Sequence, residues 1–423
     1  MSESTADINT LTDFSGARPL WLRAFNALGR PLQRCVSLDA AGLMAAARKR
    51  TGLCDFGSDD DFEAPMRSLL SALDEEAQLS LMGRLLVRRD VFVLLCNRLQ
   101  IADTLRANPE ILDVPIREPL FIVGLSRSGT TILHELLAQD PAHRSLETWE
   151  ARYPCPPPIP GLRERDPRFR RAHRELTFWH QLVPPYKSMH ENGGHLPAEC
   201  GDITCHAFLG DRLPALHQVP SYAAYIRALP IKPAYEMHKK ILQILQWKHR
   251  RDRWLLKAPA HMSWLDTLFD VYPDARIVQT HRDPLQIMGS TVSLIAAIMW
   301  MRAERLDPEL LKLAFGPAYY EPQLYRVMDQ RDSGILPEGA FHDVRFQDLM
   351  DAPWTTIESV YSHFGWEYTD LARSRMKTYL ENKPRGKHGK HFYSFHDLGL
   401  DLQTERARYR VYQERYDVKS EVS

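Results

Sequence analysis

The residues with the clearest chemical meaning lie at 124–131, Gly-Leu-Ser-Arg-Ser-Gly-Thr-Thr. Their spacing, G-x-x-x-x-G-T-T, is that of a phosphate-binding loop with threonine where lysine usually stands. Gly124 and Gly129 let the backbone turn so that successive N–H groups point inward, and the helix that follows adds the positive end of its dipole. Without the lysine, and with no apolar strand ending in a metal-holding aspartate, a nucleoside triphosphate with Mg²⁺ fits poorly. Arg127, Ser128, Gly129, Thr130 and Thr131 instead suit a smaller anion, such as a single 5′-phosphate. The plain alternative is a strand-to-helix turn that binds nothing.

Three other stretches carry candidate chemistry. In Trp254-Leu-Leu-Lys257-Ala-Pro259 a lysine ends an apolar run, where it can stabilise charge on a leaving group or simply reach out to solvent. In Arg276-Ile-Val-Gln-Thr-His-Arg-Asp-Pro284 a strand delivers Arg282, Asp283 can cap the next helix, and Pro284 suits its first turn. Ser290 lies two turns on, so Arg282 with Ser290 can hold a second phosphate. In Ser145-Leu-Glu-Thr-Trp-Glu150, Glu147 or Glu150 can serve as a general base, although a lone glutamate is usually a surface residue. The basic stretch 382–391 reads as a solvated loop or as a flap over an anion. His195, Cys200, Cys205 and His206 cluster in sequence, but their spacing fits no common zinc pattern.

The elements that must position these residues follow from periodicity. Residues 36–112 place apolar side chains at helical intervals, giving an N-terminal helical extension over 1–117. From Pro119 short apolar strands, Leu120–Val123, Trp254–Leu256, Arg276–Gln279 and Phe341–Phe346, alternate with helices that begin near Thr130, His261 and Asp283. This pattern predicts an α/β fold: a phosphate-loop-type parallel sheet flanked by helices, spanning 118–400, with ligands beyond the carboxyl ends of the strands. The alternation stops over 151–250. A helical insertion of that length reads as a lid or acceptor pocket, to which Tyr153, Phe178, Trp179, Tyr186, His190 and His195 can contribute. Residues 401–423 read as a C-terminal tail helix.

Lys plus Arg equals Asp plus Glu, 54 each, so no global field favours nucleic acid or an anionic membrane, and any anion site is local. The N-terminus lacks the basic and apolar regions of a signal peptide, and no apolar run is long enough to span a bilayer. The six scattered cysteines then read as reduced thiols in a cytoplasmic protein.

Ser126-Arg-Ser-Gly-Thr-Thr131, Lys257 at its strand end, and Arg282-Asp-Pro284 with Ser290, in this order, resemble the PAPS-dependent sulfotransferases, and within them the bacterial group related to tyrosylprotein sulfotransferases. PAPS is 3′-phosphoadenosine-5′-phosphosulfate. Ser126 replaces the family's usual proline and Arg127 its common lysine. Pro259 stands where the cytosolic branch has its histidine base, with His261 two residues later. The resemblance implies that the loop holds the 5′-phosphate bearing the sulfuryl group, and that Arg282 and Ser290 hold the 3′-phosphate. It further implies that Lys257 and Arg127 stabilise charge in the transition state and that Glu147 takes the acceptor's proton. Lys387, Gly389 and Lys390, in a loop loosely matching the family's flap, would contact PAPS. The implied reaction moves SO₃ to a hydroxyl, less readily an amine, of a small-molecule, glycan or lipid acceptor, with no metal; a homodimer is left open. A phosphate-loop kinase would need the missing lysine and a metal-holding aspartate. A non-catalytic nucleotide-binding module would bind without turnover.

Overall fold

The computed structural model of the protein describes residue 12 and residues 14–57, 61–383 and 395–422. Five strands form one sheet: β1 (Leu120–Gly124), β2 (His143–Ser145), β3 (Arg253–Lys257), β4 (Arg276–His281) and β5 (Phe341–Arg345). Their order is β2-β3-β1-β4-β5 and every pairing is parallel. The expected strands are all present. The additional strand, β2, is three residues long and polar; its pairing of His143 with Arg253 holds it at the sheet edge. No apolar run announces it.

Side chains along a strand alternate between faces, and β1 shows this directly. Leu120 and Ile122 join Leu133, Leu136, Val278, Val344 and Ile357 in one core cluster, below the helix Thr130–Leu137. Phe121 and Val123 join a larger core on the opposite face. That core takes in Leu69 and Leu73 of the helix Glu63–Glu75, and Val91 and Leu95 of the helix Leu81–Ala107. It also takes in Ile241 and Leu245 of the helix Lys232–Gln246 in the insertion. The N-terminal helices therefore share an apolar interior with the sheet instead of standing beside it.

β1 lies at the sheet centre, with β3 on one side and β4 on the other. In register, Ile122 stands beside both Lys257 and Val278, and Gly124 beside Thr280. This sets the carboxyl ends of β1, β3 and β4 side by side, where a crevice for ligands is expected. The C-terminal helix Leu402–Tyr416 packs against β4 through Tyr412, whose hydroxyl pairs with His281 Nδ1 at 3.1 Å. No helix among the described residues is long and apolar enough to cross a membrane.

Candidate functional site

The loop after β1 depends on backbone geometry that few residues tolerate. Gly124 sits at φ +138°, and a Cβ there would stand 2.3 Å from Thr280 Oγ1. Gly129, at φ +95°, precedes the first turn of the helix Thr130–Leu137, whose leading N–H groups have no intrahelical acceptor. Arg127 adopts φ +68° although it is not glycine, a strained choice of the kind that gathers at functional sites. Ser128 differs from the sequence expectation in what its side chain does. Its buried hydroxyl donates to the Leu125 carbonyl at 2.6 Å and lies 2.6 Å from Thr280 Oγ1, so it fastens the loop to β4. Thr130 is buried and Thr131 is exposed.

Arg127, Ser290 and Arg282 come together, although the spacing paired Ser290 with Arg282 and the structure bonds it to Arg127. Arg127 Nε donates to Ser290 Oγ at 3.0 Å, and Arg282 Nη1 donates to the Arg127 carbonyl at 3.0 Å. Asp283 caps the helix Pro284–Trp300 by accepting from the Leu285 N–H at 3.1 Å. The remaining guanidinium edge of Arg282 is occupied by a residue that sequence reasoning passed over. Its Nε and Nη2 donate to the two carboxylate oxygens of Glu421, at 2.8 and 2.7 Å, while the guanidinium stacks over Phe346 at 3.9 Å. The chain around Glu421 is tied down through Asp283, whose Oδ2 accepts from the Glu421 N–H at 2.7 Å. Arg406 bridges Asp283 Oδ1 and the Val422 carbonyl, at 2.7 and 2.9 Å. Arg282 thus already holds an oxyanion in the bidentate manner that suits a phosphate.

Lys257 ends β3 with its side chain buried, and Nζ donates to Glu199 Oε1 at 2.6 Å. Both line a cavity of about 270 Å³ together with Ser126, Thr131, His134 and His190. Burial would push the Glu199 carboxyl up, but Lys257 first and Arg212 next hold it down to about 2. Burial, followed by the Lys257 charge, lowers His134 to about 3 and also lowers His190. These histidines are neutral at the cavity wall. The rest of the wall is largely apolar and includes Val87, Val91 and Leu94 from the N-terminal helices and Leu176, Leu294 and Ile298. Of the six insertion residues singled out in the sequence, Trp179, Tyr186 and His190 line the cavity, and Tyr153, Phe178 and His195 do not.

Glu147 stands just outside this wall, although Thr148 belongs to it. Its Oε2 accepts from Trp149 Nε1 at 2.6 Å and its Oε1 from Arg163 Nη1 at 2.9 Å. Burial, and then the neighbouring Glu150, raise its carboxyl pKa. Glu150 is a structural carboxylate, clamped by Arg144 at 2.9 and 2.6 Å. His261 pairs with the Tyr235 hydroxyl at 2.6 Å in the core, away from the cavity. His206 is buried with Asn97 and the Ile203 carbonyl as partners at 2.9 and 3.0 Å, and it lines the cavity. Among the described residues no three His, Cys, Asp or Glu side chains gather as a metal ion would require, and all six cysteines are free.

Lys387, Gly389 and Lys390 lie outside the described residues. The basic stretch is represented by Lys383, whose Nζ donates to both oxygens of Glu135 at 2.8 and 2.7 Å and reaches Glu191 at 3.0 Å. Glu135 and Glu191 both line the cavity, so the base of that stretch is fastened at its edge.

A model of the sulfotransferase family matches residues 119–370, from β1 past β5 and over more than half of the chain. The chain belongs to the sulfotransferase family. Its α/β fold and its standing as a sulfotransferase agree with solved relatives. Sulfotransferase STF1 from Mycobacterium tuberculosis is 33% identical and superposes with a TM-score of 0.76, covering 88% of this chain and 98% of that one. Sulfotransferase STF9 from Mycobacterium avium is 25% identical, with a TM-score of 0.80 over 92% of this chain and 99% of that one. An omega-hydroxy-beta-dihydromenaquinone-9 sulfotransferase, Stf3, of Mycobacterium bovis is 27% identical over 301 residues, which is 66% of this chain and 69% of the relative.

Proposed function

We propose that this sulfotransferase transfers the sulfuryl group of PAPS to the hydroxyl of an amphipathic acceptor, releasing 3′,5′-ADP. The observation that carries the reading is the convergence of Arg127, Ser290 and Arg282 on one hydrogen-bonded cluster, with an oxyanion already seated on Arg282. In this reading the loop N–H groups and Thr131 take the 5′-phosphate, and Arg282 and Ser290 the 3′-phosphate. Lys257 and Arg127 oppose the charge that grows on the bridging and sulfuryl oxygens. Fixed donors aimed at developing charge are usually the largest catalytic contribution. The cavity supplies an apolar lining for the acceptor's body. Stf3, whose name gives a hydroxylated menaquinone as its acceptor, supports a lipid-like choice.

The acceptor's proton goes to a base, a carboxylate or a neutral histidine. Glu147 is the candidate that the family resemblance implies, and its raised pKa suits a base. To reach an acceptor in the cavity it would have to leave Arg163. Residues 118–400 carry the donor chemistry in this reading, and 151–250 shape the acceptor side.

Calorimetry with 3′,5′-ADP and 5′-AMP, combined with a radiolabelled-PAPS assay on hydroxylated acceptors, tests the proposal. Strong preference for 3′,5′-ADP without Mg²⁺, with label transferred, is expected. Equal affinity for the two nucleotides, or turnover that requires ATP and metal, would overturn it.

A further inference from the structure

We propose that Glu199 is the residue that accepts the acceptor's proton, working as a pair with Lys257. This inference rests on the sulfuryl-transfer reading and assigns one step within it.

Several carboxylates line the cavity, and their contacts separate them. Glu135 and Glu191 are held by Lys383, Asp202 by Arg212, and Asp90 by Arg152 and Arg302. Asp211 accepts from the Tyr319 hydroxyl at 3.1 Å. Glu199 alone among them touches Lys257, the cation at the carboxyl end of β3. Its Oε1 makes that contact, which leaves Oε2 as the oxygen not engaged by the lysine. A third of its side chain remains open, and it lines the cavity that also exposes Thr131 and Ser126 of the phosphate loop. Glu147, by contrast, has both oxygens bound and lies off the wall.

The backbone fixes the pair as well as the side chains do. The Cys200 N–H donates to the Lys257 carbonyl at 2.9 Å, so the segment bearing Glu199 is pinned to the strand bearing the lysine. The titratable groups around Glu199 are Lys257, Arg212, His190, His134, His261, Cys200 and Tyr186. Lys257 and Arg212, the cations among them, favour the ionised carboxylate, which is the form able to accept a proton.

The step balances without any further reagent. The acceptor oxygen forms a bond to sulfur while the bond from sulfur to the bridging oxygen breaks, and that bond's electron pair stays on the bridging oxygen. The acceptor's hydroxyl proton passes to Glu199 Oε2, and Lys257 stabilises the charge on the bridging oxygen. The shared lysine links the two events. In the resting site it makes Glu199 a weak base. As negative charge grows on the leaving oxygen, the lysine is drawn towards it, and Glu199 regains basicity when the proton must move.

The test compares wild type, E199Q and E147Q, each with PAPS and two acceptors, 4-nitrophenol and a long-chain alkanol, with 3′,5′-ADP binding and melting temperature measured in parallel. For E199Q we expect kcat on the alkanol to fall by roughly 10²–10⁴-fold while 3′,5′-ADP affinity holds within about threefold. The loss on 4-nitrophenol, which ionises readily, should be less than about tenfold. Should E199Q not fold, E199D replaces it: it keeps the carboxylate, and it should lower kcat on the alkanol more than on the phenol. E199Q turning over the alkanol within about threefold of wild type, or E147Q alone showing the acceptor-dependent loss, overturns the assignment. Wild type that neither binds 3′,5′-ADP nor transfers label would instead overturn the underlying reading, and with it this one.

Discussion

Arg282 and Lys257 are each already paired with a carboxylate, and the two pairs differ in burial and in consequence. The Lys257 side chain is 4% exposed, and the Arg282 side chain is 13% exposed beside a surface tail. R282A should erase most of the preference for 3′,5′-ADP over 5′-AMP, a loss of about 1.5–3 kcal/mol that calorimetry would read directly. K257A should lower turnover and also release Glu199, whose carboxyl would rise from about 2 towards the ordinary range. A difference in the acid limb of the pH–rate profiles of K257A and wild type, with the variant losing activity at higher pH, checks this. At this scale the sequence was legible at the ends of strands, where Arg127, Lys257 and Arg282 lie, whereas Ser290, paired by its spacing with Arg282, is bonded by Arg127. Glu199, in Pro-Ala-Glu-Cys, has no periodic or motif signal; only the fold brings it to Lys257. Glu421 was hidden for the same reason.

The elements around the site hold it by geometry that substitutions should expose. G124A would force an alanine into positive φ with its Cβ against Thr280, so a loss of about 1–3 kcal/mol in unfolding free energy is expected from denaturant titration. The segment carrying Glu421 occupies the site assigned to the 3′-phosphate, and nucleotide must displace it. E421Q should therefore bind 3′,5′-ADP more tightly than wild type, and the gain should vanish in the R282A background, a double-mutant cycle measurable by calorimetry. The strands β1 and β3 were readable as short apolar runs because parallel strands covered on both faces are nearly all apolar, while the edge strand β5, Phe-His-Asp-Val-Arg, alternates with polar residues. The edge strand β2 was not readable, since three polar residues carry no such pattern. The helices of the insertion were visible as a change of rhythm, but which of their aromatic residues would face the cavity was not.

Across the whole molecule, the N-terminal helices line the cavity proposed to take the acceptor. Val87, Val91 and Leu94 line the cavity, while the sequence offered only their amphipathic spacing, which cannot distinguish a wall from a core. Burial also sets the response to acid. His134, His217 and His261 are lowered to about 3 and His206 to about 4, from 6.5, with burial the leading cause in each. The folded pKa lies below the unfolded one, so the unfolded chain takes up protons first as pH falls. Stability is thus complete above about 6.5 and is lost progressively towards about 3, by roughly 1.4 kcal/mol per pH unit for each such group. Glu199 and Asp90, both held near 2, extend the loss below the ordinary carboxylate range. Melting temperatures at pH 7.5, 6 and 5 should already decline across that series; a flat profile down to pH 4.5 would contradict the burial.

The carboxylate on Arg282 has one further consequence, which concerns ionic strength. Glu421 is tethered to the chain, so it meets Arg282 at a fixed effective concentration that dilution cannot lower. Nucleotide binding at that point exchanges one anion for another and leaves the number of ion pairs on the arginine unchanged. Added salt weakens both partners of the exchange and largely cancels there, because screening acts on each exposed pair alike. The affinity of wild-type protein for 3′,5′-ADP should therefore fall less steeply with salt than that of E421Q, in which the phosphate gains a pairing that nothing held before.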